Sequence, residues 1–334
     1  MVMYKMRYHE EPNLYSNISP EKLNLCKNIG FFDYCVQRSA NEYFINQLHE
    51  NKIYNDLIIF SYRYRLMASS GTLYLSRIRH HHPFSKFYDE FKIDFLSLYS
   101  KNRYNQRKTH PIEQIIKICD EKNGSLCYYC GAYEFDNIDH FLPEGEISSK
   151  NGFHFPQLCV MSYNLIPSCG KCNRKKSDHI GEYATNTFIH PYFSKFLDDE
   201  FLQCEAVFDW NLRKITFTYS ISFPSTWSLL NKRRLLWEFE RLDLLIRYST
   251  KASGNLNKVE HKYKKTLELD GKKALYDQLV SEINSIDNYL GVNNWESVMY
   301  VALINKLDDF SYFLKNTTLT PPKRYINPLD LGKI

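Results

Sequence analysis

The spacing of apolar and polar residues predicts that most of the chain is helical. Over residues 40–67 apolar positions recur at helical spacing, with an interruption near Asp56. We expect Asp56 to cap a second helix that begins at Leu57. A shorter helix is predicted after Pro111, a residue that suits a first helical turn, and the Asn-Gly step at 123–124 ends it.

Towards the other end of the chain the pattern changes twice. Residues 206–223 alternate and are rich in β-branched and aromatic side chains, which predicts a β-hairpin turning at Asn211. Helical spacing then returns in one apolar stripe, with Arg233, Arg234, Glu238 and Arg241 outside it: Leu235, Phe239, Leu242 and Ile246. A second stripe is stopped by Gly291: Leu275, Leu279, Ile283, Ile286 and Leu290. We expect Asn294 to cap a last helix around Val298 to Leu307.

Composition places the chain among globular proteins without a secretory or membrane signature. Of its 334 residues, 43% are hydrophobic and 24% are charged, both ordinary values for a folded protein. The first residues lack the apolar run of a signal peptide, and no stretch approaches the length of a membrane span. We therefore expect a cytoplasmic protein with no membrane partner.

Positive charge is concentrated in two clusters. The net charge of +5 permits a nucleic-acid partner without demanding one. One cluster precedes the predicted helix at 111–123: Lys101, Arg103, Arg107 and Lys108. The other lies close to the second cysteine pair: Arg174, Lys175 and Lys176. Both clusters are candidate sites for contact with nucleic-acid phosphates.

Four of the nine cysteines form two Cys-x-x-Cys pairs, Cys127 with Cys130 and Cys169 with Cys172. Two such pairs in a cytosolic chain indicate one tetrahedral zinc site, which is structural because all four positions are protein ligands. Reduced thiols without metal are the alternative. We assign Cys119, Cys159 and His154 to packing. The triplet His80 to His82 is also not assigned to metal, because consecutive residues do not converge on one point.

The segment between the two pairs carries further polar residues in a characteristic order. A predicted strand at 135–138 ends in Asp139 and His140, Asn164 precedes the second pair, and a short helix after that pair carries Asn173. The order Cys-x-x-Cys, Asp-His, Asn, Cys-x-x-Cys-Asn-x-x-Lys resembles the HNH endonuclease family over residues 127–178. That family has a ββα-metal fold, in which a two-stranded hairpin and one helix grip a divalent cation.

The resemblance implies a role for each matching position. His140 would be the general base for the attacking water, and Asp139 and Asn173 would ligate Mg²⁺ or Mn²⁺. Asn164 would brace the loop that aims His140. The activity implied is hydrolysis of DNA phosphodiesters to 5′-phosphate ends. Many members have His where this chain has Asn173, so His179 and His190 are alternative ligands.

Together these features predict an α+β protein. We expect a mainly helical chain that carries a small zinc-stabilised ββα unit and a β-hairpin. The predicted segments are a helical region at 1–118, the ββα unit at 119–193, the hairpin at 194–225 and a helical region at 226–334. A unit as small as the ββα segment buries too little core to hold itself, so zinc would fix its geometry.

The layout also resembles, less specifically, HNH effector nucleases of bacterial anti-phage defence. These include Septu-type and retron-associated proteins that work with an ATPase, which implies a regulatory protein partner. "FIHPYF" at residues 188–193 is expected to close the unit structurally. Three other functions remain open: a free-standing homing-type or restriction nuclease, a zinc-stabilised nucleic-acid or protein adaptor without hydrolytic activity, and a nuclease that cleaves RNA or tRNA.

Overall fold

The computed structural model describes residues 32, 35–36, 39, 41–50, 53–79, 85–105, 115–116, 124–145 and 154–316. Side chains 100–105 are not described. The basic residues Arg107 and Lys108, the histidines at 80–82 and Cys119 lie outside the described residues. So does most of the helix predicted after Pro111, of which only Ile115 and Ile116 are described, both helical.

The described chain is rich in helix and contains two small antiparallel sheets, which confirms the α+β class. The helices before the first sheet are α1 (Glu42–Glu50), α2 (Ile53–Ser70), α3 (Ser85–Glu90) and α4 (Lys92–Asn105). The first sheet pairs β1 (Asn137–His140) with β2 (Leu165–Ser168), and α5 (Gly170–Lys176) follows. The second sheet pairs β3 (Leu202–Asp209) with β4 (Lys214–Ile221). The last helices are α6 (Leu229–Arg241), α7 (Leu244–Leu290), α8 (Trp295–Asn305) and α9 (Leu307–Asn316).

The early helices pack through aromatic side chains. Asn41 caps α1 by accepting a hydrogen bond from the backbone N–H of Phe44 at 3.1 Å. The Phe44 ring then meets Phe95 of α4 edge to face, with centroids 5.1 Å apart. The predicted division into two helices is confirmed, but its position is wrong, because α2 begins at Ile53 and Asp56 lies in its first turn. Asp56 is buried there and accepts a hydrogen bond from Tyr88.

The hairpin predicted around Asn211 is confirmed as β3 and β4, whose pairing runs from Leu202 opposite Ile221 to Asp209 opposite Lys214. Its alternating buried residues face α7 and α8. The hydroxyl of Tyr219 in β4 donates to the carbonyl oxygen of Trp295 at 2.6 Å. This bond ties the sheet to the start of α8, where Asn294 caps the helix as predicted.

The polarity predicted for the helix after the hairpin needs a correction. Arg234 and Glu238 of α6 were expected outside the apolar stripe, but both are buried. Arg234 donates to the carbonyl oxygen of Phe188 at 3.1 Å, and Glu238 accepts from the N–H of Ile189 at 2.8 Å. Burial raises the pKa of Glu238 to about 7, although the Ile189 N–H and Arg234 oppose this effect. These two side chains hold the "FIHPYF" segment, so they face inwards.

Two helix boundaries also differ from the sequence prediction. The stripe through Ile246 is wrong because α6 ends at Arg241 and Asp243 adopts a left-handed conformation, which turns Ile246 to solvent with 73% of its surface exposed. The last helix is not continuous, since α8 ends at Asn305 and α9 starts at Leu307. None of the helices in the described ranges is long and apolar enough to cross a membrane.

Helix α7 is bent at Gly271, where the backbone has φ 86° and ψ −179°. Lys262 before the bend lies 2.6 Å from Glu282 after it, so the two halves run side by side in opposite directions. Leu267 and Leu275 are buried between these halves and their neighbours. Buried side chains from Phe32 to Leu314 belong to one connected hydrophobic core.

Candidate metal centre and the adjoining polar site

The four paired cysteines converge on one point. The turn that follows Cys127 closes through a hydrogen bond from the Gly131 N–H to the Cys127 carbonyl oxygen at 2.7 Å, with φ of +56° at the glycine. Cys169 is the N-cap of α5, and Cys172 lies in its first turn. All four side chains are buried, and their sulfur atoms lie within 4.8 Å of one another.

This cluster fits a tetrahedral metal such as zinc. Zinc–sulfur bonds of about 2.3 Å place the sulfur atoms of a tetrahedron roughly 3.8 Å apart. The sulfur atoms of Cys130 and Cys169 are 3.9 Å apart, and none of the four cysteines forms a disulfide. Four buried sulfur atoms at this separation can therefore hold a metal ion, as the spacing of the two pairs predicts.

Asp139 lies in β1 and is almost entirely buried, with 5% of its surface exposed. Its Oδ2 atom is 3.0 Å from the ammonium of Lys176 and accepts a hydrogen bond from the Tyr129 hydroxyl at 2.5 Å. Burial raises the pKa of the Asp139 carboxyl group, while Lys176 and Tyr129 act in the opposite direction. Burial and the charge on Asp139 raise the pKa of Tyr129, so that hydroxyl stays a donor.

Lys176 is not a surface cation, although the sequence placed it among the phosphate-binding residues. Its side chain is 0% exposed, and its ammonium also donates to the carbonyl oxygen of His140 at 2.9 Å. Lys176 lies one helical turn after Cys172, on the buried side of α5. The helix therefore directs one basic residue into the site and leaves the others outside.

His140 ends β1 opposite Leu165 of β2. Its Nε2 atom donates to the carbonyl oxygen of Cys159 at 2.9 Å and lies 3.2 Å from a carboxylate oxygen of Glu144. The ring meets that of Tyr99 from α4 edge to face at 4.7 Å. Because a carbonyl oxygen only accepts, Nε2 carries the proton and Nδ1 the lone pair in a neutral His140.

Asn164 is fully buried and holds the segment after His140 from both directions. Its Oδ1 atom accepts from the Leu142 N–H at 2.7 Å, and its Nδ2 atom donates to the Leu142 carbonyl oxygen at 2.9 Å. The hydroxyl of Tyr64 in α2 also donates to Oδ1, at 3.0 Å. These are the contacts of a residue that braces the loop; its part in catalysis stays a prediction.

The remaining predicted residues are distributed around α5. Asn173 is half-buried, and no side-chain hydrogen bond joins it to another residue in the described ranges. Arg174 is exposed, and Lys175 pairs with Asp243 at 2.6 Å. Lys101 and Arg103 lie in α4, but the directions of their side chains are not described. The structure thus brings Asp139, His140, Asn164 and α5 together and leaves the first basic cluster undetermined.

His190, an alternative metal ligand from the sequence, has both ring nitrogens engaged. Nε2 donates to the carbonyl oxygen of Tyr163 at 3.0 Å, and Nδ1 accepts from the N–H of Tyr192 at 3.2 Å. Burial lowers the pKa of His190 to about 3, so the ring is neutral near pH 7. His179 stacks on Trp237, with ring centroids 5.0 Å apart.

Sequence reasoning missed two residues of this site. Tyr129 lies inside the first cysteine pair, and its position next to a metal-binding turn was the available signal. Glu144 follows His140 by four residues in a segment without regular structure, which gave no periodic signal. Both reach the site only because β1 and the turns around it fold against each other.

The class of site is therefore a four-cysteine cluster that can hold a metal ion, beside a buried cluster of Asp, Lys, His and Asn. Among known proteins, Protein ea31 of Escherichia phage lambda is 27% identical to this chain over an alignment of 268 residues that covers 74% of the chain and 84% of ea31. No protein-family model matches the chain, and no solved structure matches it. The name of ea31 states no activity, so this similarity does not indicate a function.

Proposed function

We propose that this protein is an HNH-type endonuclease that hydrolyses DNA phosphodiester bonds with the help of a divalent cation. The observation that carries the proposal is the order of elements between the cysteine pairs. Asp139 and His140 end a strand that pairs with β2, and the next element is a helix that begins at the second cysteine pair and carries Asn173. Two antiparallel strands followed by a helix are the arrangement expected of a ββα-metal unit.

Zinc in the four-cysteine centre would have a structural role. Cys169 and Cys172 fix the start of α5, while Cys127 and Cys130 fix the turn before β1. A metal bound to all four would hold the helix and the strand at a constant separation. With four protein ligands the centre would leave no position for substrate.

Asp139 and Asn173 would hold the catalytic Mg²⁺ or Mn²⁺. A carboxylate and an amide oxygen are suitable in type, because such ions bind through hard oxygen atoms and keep several waters. When bound, the ion would polarise a phosphate oxygen and stabilise the leaving 3′ oxygen. The Lys176 ammonium already neutralises Asp139. On binding of the divalent ion, Lys176 would therefore either move away from the carboxylate or share it with that ion.

His140 would accept the proton of the attacking water at Nδ1. The Cys159 carbonyl oxygen and Glu144 both favour a proton on Nε2, which leaves the lone pair on Nδ1. Asn164 would keep the segment from His140 to Leu142 in place through its two bonds to Leu142. The contacts of Nε2 and the bonds of Asn164 would thus orient the His140 ring while it stays neutral until it accepts the proton.

Substrate phosphates would meet the outer face of α5. Arg174 is exposed there, and Lys175 is partly exposed beside it. These contacts supply affinity without base specificity. Lys101, Arg103, Arg107 and Lys108 would extend this contact. We further propose a cytoplasmic defence nuclease regulated by a protein partner such as an ATPase, on the basis of the sequence resemblance alone.

One observation favours a second candidate, an adaptor that binds nucleic acid or protein without hydrolysis. The carboxylate of Asp139 is buried and already satisfied by Lys176 and Tyr129. A buried carboxylate with these two partners needs no metal ion to compensate its charge. The two candidates differ at His140, because an adaptor does not need an imidazole beside that carboxylate.

The first test is nicking of supercoiled plasmid, with RNA as a parallel substrate. The intact protein, His140→Ala and the control His261→Ala, an exposed histidine of α7, are compared with Mg²⁺, with Mn²⁺ and with chelator. Zinc content is measured for every sample, because a chelator also strips structural zinc. We expect metal-dependent cleavage that His140→Ala abolishes and His261→Ala retains. Equal cleavage by His140→Ala would contradict the assigned base, and binding without cleavage by all three would favour the adaptor.

A further inference from the structure

A buried arginine from the last helical region reaches the four-cysteine centre. Arg247 lies in the first turn of α7, and 3% of its surface is exposed. Its Nη1 atom is 3.1 Å from the sulfur of Cys172, and Nη2 is 3.6 Å from that of Cys169 and 3.7 Å from that of Cys130. One guanidinium group thus contacts three of the four sulfur atoms.

The surroundings fix this guanidinium in place. Nη1 also donates, at 3.2 Å, to the carbonyl oxygen of Leu242, the C-cap residue of α6. The group lies over the ring of Tyr133, 5.0 Å from its centroid. The next residue, Tyr248, donates from its hydroxyl to the Cys130 carbonyl oxygen at 2.9 Å. The start of α7 is therefore aligned on the first cysteine turn by two consecutive residues.

The positive charge of the Arg247 guanidinium limits which partners can compensate it in the protein interior. A buried cation is costly unless an anion or several acceptors compensate it. The partners within hydrogen-bond distance of Arg247 in the described residues are one carbonyl oxygen and three sulfur atoms, with no carboxylate among them. Four neutral thiols would leave the positive charge without an anion. Zinc with four thiolates carries a double negative charge, which one guanidinium reduces to a single one.

We infer that Arg247 is a cation that compensates half of the charge of the zinc–thiolate cluster and thereby couples zinc binding to the packing of α7. The inference rests on the proposed zinc, but it does not depend on nuclease activity. Hydrogen bonds from outside the ligand set commonly change metal affinity 10–100-fold, as a rough range. Arg247 is separated by 75 residues from Cys172, so this contact would make the small metal unit and the helical region one cooperative structure.

The test compares zinc retention by the full-length protein, Arg247→Met, Arg247→Lys and the control Arg233→Met. Methionine keeps much of the length and apolar volume of the side chain without the charge, and Arg233 is an exposed arginine of α6. Each protein is titrated with chelators of graded strength while released zinc is followed by absorbance. We expect Arg247→Met to lose zinc about 10–100-fold more readily. Arg247→Lys should fall between it and the intact protein, and Arg233→Met should match the intact protein.

The possible failures are distinguishable. Retention by Arg247→Met equal to that of the intact protein would overturn the inference and leave the zinc proposal standing. An intact protein that binds no zinc would instead overturn the zinc proposal. If Arg247→Met is purified unfolded, zinc is added back while folding is followed by circular dichroism. Folding at about 10–100-fold higher zinc supports the inference, whereas no folding at any zinc concentration shows that Arg247 acts through packing alone.

Discussion

The ammonium of Lys176 lies 3.0 Å from the carboxylate of Asp139 in a site where the two side chains are 0% and 5% exposed. The pair joins α5 to β1, the two elements that carry the proposed active site. Its energetics differ from those of the neighbouring pair between Lys175 and Asp243, whose members are 32% and 45% exposed. Adjacent lysines of one helix thus provide a buried and an exposed ion pair for comparison.

The exchange Lys176→Met should destabilise the protein by about 3–5 kcal/mol, because it leaves Asp139 buried without a compensating charge. Lys175→Met should cost less than about 1 kcal/mol, since exposed pairs contribute little. Adding Asp139→Asn to Lys176→Met should recover part of the loss. Urea denaturation of the four proteins measures these differences. Equal losses for the two single lysine variants would show that burial does not distinguish the pairs.

Replacement of Asn164 should disturb the segment that follows His140. Asn164→Ala leaves the N–H and the carbonyl oxygen of Leu142 without their partner, at about 1–3 kcal/mol for each buried group. Asn164→Asp keeps the acceptor for the N–H but turns a second oxygen towards a carbonyl oxygen. We expect both variants to be destabilised in thermal unfolding and to lose any cleavage activity. Full activity in a folded Asn164→Ala protein would refute the bracing role.

Because of His190, the free energy of unfolding should decrease as the pH is lowered. Its pKa is lowered to about 3 in the folded state, against 6.5 for a free imidazole. Below pH 6.5 the unfolded chain therefore binds a proton that the folded protein excludes, and stability is lost as the pH falls. The loss is about 1.4 kcal/mol for each pH unit between these two pKa values.

The control for this effect is His190→Asn, because an amide retains an acceptor for the Tyr192 N–H and cannot take up a proton in this range. Denaturation of both proteins at several pH values between about 7.5 and 5 separates His190 from the other titrating groups. The stability advantage of the intact protein over the variant should shrink as the pH falls. A pH-independent difference would contradict the assigned cause.

Two glycines of α7 should respond to alanine in opposite directions. Gly271 has φ of +86° with ψ near 180°, a conformation that essentially only glycine adopts, so Gly271→Ala should cost about 1–3 kcal/mol. Gly254 is exposed in the regular part of the helix, where Gly254→Ala should stabilise by about 0.5–1 kcal/mol. Neither added methyl group meets an atom within 4 Å, so backbone conformation alone sets the sign. Thermal unfolding checks both, and a neutral Gly271→Ala would contradict the bend.

Local sequence patterns predicted the features whose causes are themselves local. The spacing of the cysteine pairs predicted the cluster, because each pair lies on one turn and two turns suffice for four ligands. Alternation predicted β3 and β4, and Asn294 and Gly291 were recognised as helix caps since capping involves residues a few positions apart. The break between α6 and α7 was missed, because the apolar spacing continues through Asp243 even though its backbone turns.

The sequence by itself determined the α+β class, the four-cysteine centre and the set of polar residues between its pairs. Only the tertiary structure decided that Lys176 faces Asp139 instead of solvent, that Arg234 and Glu238 face inwards, and that Arg247 meets the cysteines. The physical reason is the range of the interaction. The spacing of residues along one helix or strand determines which of them share a face. Whether a charged side chain is buried depends instead on partners that folding brings from elsewhere in the chain.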